Sequence, residues 1–142
     1  MKKIDYKKLA IYIAIPLVLG TIVGLITSSK SSNYGGVIPG WIFPVVWSIL
    51  YILMGISSYL VRDNKGLMKI YYLNLAVNLL WPIIFFSLGF ETFAFFWILL
   101  LIVIVGIMIY RFYQENKLSA YLLIPYILWL VFAAFLNLSL IK

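Results

Sequence analysis

The sequence predicts an all-α membrane protein, a bundle of five transmembrane helices. The hydrophobic fraction is 65%, and only 11% of the 142 residues are charged. A soluble domain is nearer half apolar and about a quarter charged. The charged residues also separate five apolar segments, each long enough to cross a hydrocarbon core of about 30 Å at 1.5 Å per residue. We therefore expect one transmembrane domain over residues 1–142.

The first apolar segment, Leu9–Ile26, follows a start that contains four lysines. It is longer than the 7–15 apolar residues of a signal peptide, and no A-x-A-like cleavage site follows. We interpret it as a retained helix. Gly20 and Gly24 form a GxxxG pair, which allows another helix to approach closely. Two interpretations stay open for this pair, packing within the chain and a dimer seam.

The remaining elements are separated by short polar or charged segments. A Gly- and Ser-rich loop is expected at Thr27–Ile38, and Pro39 is at the position where a second helix begins. That helix ends near Arg62. The three later helices are expected at about Leu67–Leu88, Thr92–Phe112 and Leu118–Ile141.

The basic residues predict the orientation of the bundle. With five spans, nine of the eleven Lys and Arg residues fall on one side and two on the other. Because basic residues are retained on the cytoplasmic side, we expect a cytoplasmic N-terminus, with the C-terminus and the 27–38 loop outside. The net charge of +7 then reflects membrane topology and contact with membrane lipids, and no nucleic-acid partner is expected. The nine are Lys2, Lys3, Lys7, Lys8, Arg62, Lys65, Lys69, Arg111 and Lys117, against Lys30 and Lys142.

Several kinds of chemistry are excluded by composition. The chain has no Cys and no His, so thiol chemistry, a His general base and a Cys/His metal site are ruled out. We expect neither a metal site nor a cofactor. The four acidic residues lie outside the apolar segments or at their ends, whereas proton-coupled transporters usually keep an acid within the membrane.

Three helices have a stripe of aromatic and amide residues on one face. An Asn within a membrane is unfavourable unless a partner satisfies it, so these stripes are expected to meet inside the bundle. They would form either a ligand cavity or simply a packed core. The stripes are Phe43, Trp47 and Tyr51; Asn74, Asn78, Trp81 and Phe85; and Tyr126 or Trp129 with Ala133 and Asn137.

Three motifs in these helices resemble those of the translocator protein family, also called tryptophan-rich sensory proteins (TspO/MBR). The resemblance covers roughly residues 39–137. The first motif is Trp47-x-x-Leu50-Tyr51-x-x-Met54-Gly55-x-x-Ser58-Tyr59-Leu60-Val61. The second is Asn78-x-x-Trp81-Pro82-x-x-Phe85-Phe86, and the third is Pro125-Tyr126-x-x-Trp129-x-x-Phe132-Ala133-x-x-Leu136-Asn137.

The resemblance implies a five-helix bundle, often a homodimer, in what we expect to be a bacterial cell membrane. It implies a receptor or carrier for protoporphyrin IX, haem-like tetrapyrroles or lipidic, sterol-like and drug-like ligands. The alternative that it implies is a light- and oxygen-dependent porphyrin-degrading enzyme, in which Trp47 and Trp129 would be catalytic. The implied ligand-binding residues are Pro39, Phe43, Trp47, Tyr51, Asn78, Trp81, Phe86, Trp129 and Ala133.

The sequence departs from the family pattern ahead of the second helix. The family's W-x-P-P is represented by residues 36–39, Gly-Val-Ile-Pro, and only the second proline is kept. The preceding loop is short and lacks the W-Y and K-P-x-W elements that cover the family's pocket. This predicts a more open, lipid-accessible cavity. The Tyr of the family's sterol-recognition segment is also absent after Asn137, so high-affinity cholesterol binding is not expected.

Overall fold

The computed structural model describes residues 4–31, 42–88 and 90–139. Within these ranges the ordered elements are helices. Six α-helices follow one another, and a π-helical turn at Ile83–Ser87 extends the third. The helices are α1 (Tyr6–Ser31), α2 (Ile42–Leu60), α3 (Lys65–Pro82), α4 (Glu91–Glu115), α5 (Lys117–Leu122) and α6 (Ile124–Ser139).

Length and composition identify these helices as membrane spans. Four spans, at Tyr6–Ile26, Lys65–Phe85, Glu91–Glu115 and Lys117–Ser139, are long and apolar enough to cross a bilayer. The second helix is also apolar, and its segment Val45–Leu60 is shorter than these four spans. Together they confirm the predicted all-α bundle of five spans.

The five spans form a closed ring. α1 packs against α2 and α3, α3 packs against α4, and α4 packs against both α5 and α6. α2 closes the ring through its contact with α5. This order places α2, α3 and α6 around a common interior, which is the arrangement required for their polar stripes to meet.

Two expected boundaries differ from the structure. α1 continues to Ser31, into the segment expected to be a loop, because extending an existing helix by a few residues is much easier than starting one. The remainder of that expected loop, residues 32–38, lies outside the described residues. The fifth span is interrupted at Leu123. Pro125 has no N–H to donate to the carbonyl of Tyr121, and its ring crowds that carbonyl, so α5 and α6 are separate helices.

The ends of the spans that bear the basic residues gather at one end of the bundle. The backbone N–H of Asp5 donates to the Tyr59 hydroxyl at 2.7 Å, which joins the start of α1 to the end of α2. Asn64 and Asn116 cap the starts of α3 and α5, each satisfying an N–H that the helix itself leaves unbonded. We call this the basic end; its described basic residues are Lys7, Lys8, Arg62, Lys65, Lys69, Arg111 and Lys117.

α1 and α2 approach each other closely because of glycine. A Cβ on Gly55 would overlap the backbone of Tyr12 and Ile13, and a Cβ on Gly20 would overlap the ring of Tyr51. Gly20 therefore packs within the chain. For Gly24, no described heavy atom lies within 4 Å of an added Cβ, so within the described residues the close approach at this pair is the one at Gly20.

Replacing Gly55 with alanine should lower the melting temperature of the detergent-solubilised protein. The added methyl group would force α1 away from α2, and overpacking of this kind costs about 1–3 kcal/mol. Gly106→Ala is the matched control, because Gly106 lies within α4 and its Cβ would have no described neighbour within 4 Å. Equal melting of the two variants would contradict the close α1–α2 contact.

Candidate ligand-binding site

The polar stripes of α2, α3 and α6 meet in the interior of the bundle. A continuous chain of hydrogen bonds joins them. The Tyr51 hydroxyl donates to Asn78 Oδ1 at 2.8 Å, and Asn78 Nδ2 donates to the Tyr126 hydroxyl at 2.8 Å. The Tyr126 hydroxyl in turn donates to Asn74 Oδ1 at 2.7 Å, and Asn74 Nδ2 donates to the Tyr71 carbonyl at 3.0 Å. All five residues are buried, so each amide has its partners within the protein.

Four aromatic rings form a contiguous group beside this chain. Trp47 stacks on Tyr51, with ring centroids 5.6 Å apart. It also meets Tyr126 and Trp129 edge to face, each at 6.4 Å. Offset and edge-to-face contacts of this kind are favourable beyond the area that they bury. We call these residues the aromatic–amide cluster: Trp47, Tyr51, Asn74, Asn78, Tyr126 and Trp129.

A second amide bridge closes the interior at the end opposite the basic end. Trp81 Nε1 donates to Asn137 Oδ1 at 3.3 Å, and Asn137 Nδ2 donates to the Glu91 carbonyl at 2.8 Å. These bonds connect α3, α6 and the first turn of α4. Trp81 is also stacked on Phe85, with centroids 5.1 Å apart. Trp81 is therefore held from two sides and is fully buried.

The nine residues expected to bind a ligand fall into three groups. Trp47 and Trp129 are half-buried at the edge of the cluster. Pro39 and the side chains of Phe43 and Phe86 lie outside the described part of the structure. A ligand approaching the described part of the site would meet the two indoles first. The other four, Tyr51, Asn78, Trp81 and Ala133, are buried.

Tyr126 and Asn74 are the residues that sequence reasoning undervalued. Both lie on the predicted stripes, but Tyr126 appeared only as an alternative to Trp129, and neither was among the expected ligand-binding residues. In the structure the Tyr126 hydroxyl bridges the two asparagines. The available signal was the pair of asparagines at positions i and i+4, which requires a shared polar partner within the membrane.

The described site offers aromatic surface, amide groups and phenol hydroxyls. Stacking and burial of flat apolar rings fit the half-buried indoles, whereas the amides are buried and bonded within the protein, where they hold the aromatic rings in place. The fold and this cluster together define a helical integral membrane protein with an aromatic interior site.

Residues 12–142 match the TspO/MBR family, and this chain belongs to that family. It is 38% identical over 109 residues to Protein CrtK of Rhodobacter capsulatus, covering 71% of this chain and 68% of the relative. It is 34% identical over 104 residues to the tryptophan-rich protein TspO of Archaeoglobus fulgidus, covering 70% and 67%. It is 36% identical over 107 residues to the translocator protein of Homo sapiens, covering 70% and 63%.

Tyr126→Phe should destabilise the bundle by roughly 1–3 kcal/mol, because it leaves a buried donor on Asn78 and a buried acceptor on Asn74 unsatisfied. The free energy of unfolding in mixed micelles measures this loss. Tyr110→Phe removes the same hydroxyl from a residue that is 67% exposed and should change stability by less than about 0.5 kcal/mol. A Tyr126→Phe protein as stable as this control would show that the bridge contributes nothing.

Proposed function

We propose that the protein is a membrane receptor or carrier for a flat hydrophobic ligand, with porphyrin-like tetrapyrroles as the first candidates. The observation that carries the proposal is the environment of Trp47. Its half-buried ring is in contact with Tyr51, Tyr126 and Trp129. A planar ligand that covers this ring would exchange contact with lipid for aromatic stacking on a surface already fixed by its neighbours.

The hydrogen-bonded chain beneath Trp47 supports the same proposal. Tyr51 and Tyr126 have their hydroxyls engaged with asparagines, which fixes the rings against which Trp47 packs. A preorganised site loses little conformational freedom on binding. The relationship to a protein named translocator protein is consistent with a ligand that is moved or sensed within a membrane.

We further propose that the basic end faces the cytoplasm, with the protein in a bacterial cell membrane. The described basic residues at that end, seven in number, are the group that the positive-inside rule assigns to the cytoplasmic side. The opposite end, where Trp81 and Asn137 meet, would then face outward. A homodimer stays a prediction from the family resemblance.

Protoporphyrin IX should quench the tryptophan fluorescence of the purified protein saturably, and Trp47→Phe should weaken its binding by roughly three- to tenfold. This range corresponds to the loss of one aromatic contact worth about 0.5–1.5 kcal/mol. Titration in detergent or nanodiscs gives the dissociation constant of each variant.

Trp97→Phe is the matched control for that titration. It also removes one of the five tryptophans, but Trp97 lies on α4, where its Nε1 donates to the Val77 carbonyl at 2.8 Å. The affinity of the Trp97→Phe protein for the porphyrin should equal that of the unchanged protein. Quenching that never saturates, or an equal loss in both variants, would refute a site at Trp47.

A second candidate, light- and oxygen-dependent degradation of the bound porphyrin, is favoured by the contact of Trp47 with Trp129. Two indoles 6.4 Å apart, with Tyr51 and Tyr126 adjacent, are oxidisable side chains placed beside the proposed ligand. Under illumination in air, the porphyrin spectrum should convert to that of a new product with the unchanged protein and with Trp97→Phe. It should not convert with Trp47→Phe. Bleaching at the protein-free rate would exclude the enzyme.

A further inference from the structure

A recess lies on the outer side of the bundle, between α2 and α6. It is an open groove of about 580 Å³, which is within the range of small-molecule sites. Its lining is almost entirely apolar. We call it the lateral groove; it is lined by Val46, Ile49, Leu50, Pro125, Leu128, Trp129 and Phe132.

The groove lies beside the interruption of the fifth span. On the basic-end side of the break, α2 is fixed to α5 by a reciprocal pair of bonds: the Ser57 and Ser119 hydroxyls each donate to the other residue's carbonyl at 2.8 Å. Both serines are fully buried. Past the break, α6 begins at Ile124 with Pro125 in its first turn. The groove lies between α2 and the first half of α6.

The groove lies at the depth of the lipid acyl chains. We measured depth along the helices from Arg62 and Lys117, at the basic end, with 1.5 Å per residue. The lining residues lie between about 12 and 24 Å from that end. This is the middle and distal part of a hydrocarbon core of about 30 Å. Water is not available at this depth, so acyl chains are what the bilayer can place in the groove.

We infer that the lateral groove is a binding site for one acyl chain of a membrane phospholipid. If the recess were left unfilled, the apolar side chains that line it would have no atoms to contact on that side and would lose dispersion energy. The lining on α6 extends from Pro125 to Phe132, about 10 Å at 1.5 Å per residue, and is therefore matched to a segment of chain.

A helix from a second copy is a poorer occupant than an acyl chain. Helices that dock closely in membranes do so through small residues, whereas large side chains project beside this groove. Ile49 on α2 and Leu128 on α6 are 53% and 64% exposed, and both would obstruct an object as wide as a helix. A flexible chain fits between them.

This site is separate from the one proposed for the planar ligand. Only Trp129 belongs to both, since it borders the groove and also contacts Trp47. The inference does not depend on porphyrin binding, and the two can fail independently.

A photoreactive lipid tests the inference in the full-length protein. The protein is reconstituted into vesicles that contain a phosphatidylcholine with a diazirine in the distal half of one chain. After illumination, labelled peptides are mapped by mass spectrometry. Labelling of the exposed residues in segments 45–50 and 125–132 should exceed that of the α4 face by roughly threefold, which corresponds to a preference of about 0.7 kcal/mol over bulk lipid. The α4 face consists of the exposed residues Phe96, Leu99, Leu100, Val103 and Ile107.

Two substitutions separate a site from general lipid contact. Ile49→Trp fills the groove and should reduce labelling of 125–132 to the level of the α4 face. Leu73→Trp is the matched control, because Leu73 is 55% exposed on α3, outside both the groove and the α4 reference, and should leave the labelling pattern unchanged. Equal labelling of both surfaces in the unchanged protein would mean ordinary boundary lipid and would overturn the inference.

Two further outcomes decide the inference without ambiguity. Labelling of the groove below that of the α4 face would mean that another protein surface covers it, and would also overturn the inference. If Ile49→Trp fails to fold, Leu128→Trp fills the groove from the opposite helix and makes the same prediction. The dissociation constant of the porphyrin, measured on the same variants by porphyrin absorbance, should be unaffected by Ile49→Trp, so failure of the lipid site and failure of the porphyrin site are distinguishable.

Discussion

The fold depends on satisfying amide groups within a membrane. Asn74 and Asn78 cannot turn to water at mid-span, and an amide without a partner in hydrocarbon is unfavourable by several kcal/mol. Tyr51 from α2 and Tyr126 from α6 supply the missing groups. One chain of hydrogen bonds therefore fixes the relative positions of three helices, in a solvent where the hydrophobic effect does not draw helices together.

The same constraint prepares the proposed ligand site. Because Tyr51 and Tyr126 are held by their hydroxyls, their rings offer Trp47 a fixed surface. The same two tyrosines thus make both the interior hydrogen bonds and the aromatic contacts with Trp47. Close approach of α1 through Gly55, and the serine pair that ties α2 to α5, close the ring of helices around it. The proline break beyond that pair separates α5 from α6, and the lateral groove lies beside the first half of α6.

The family motifs acquire physical meanings from these contacts. Gly55 in the first motif is the position where a side chain would overlap the backbone of α1. Asn78 and Trp81 in the second donate hydrogen bonds to Tyr126 and Asn137 of the third. The motifs therefore correspond largely to the bonds that assemble the bundle. Of the ligand-binding residues that the resemblance implies, Trp47 and Trp129 are the described ones left partly open to a ligand.

The sequence by itself determined the five spans, because hydropathy and helix length are local properties, and it placed the polar stripes on single faces through the 3.6-residue period. It could not decide which α6 side chain would bond the asparagines of α3, since Tyr126 and Trp129 were equally acceptable on their stripe. The tertiary structure decided that choice, through the order of helices around the ring. It also decided the Ser57–Ser119 pairing and the lateral groove, because both depend on where two distant helices meet after Pro125 interrupts the fifth span.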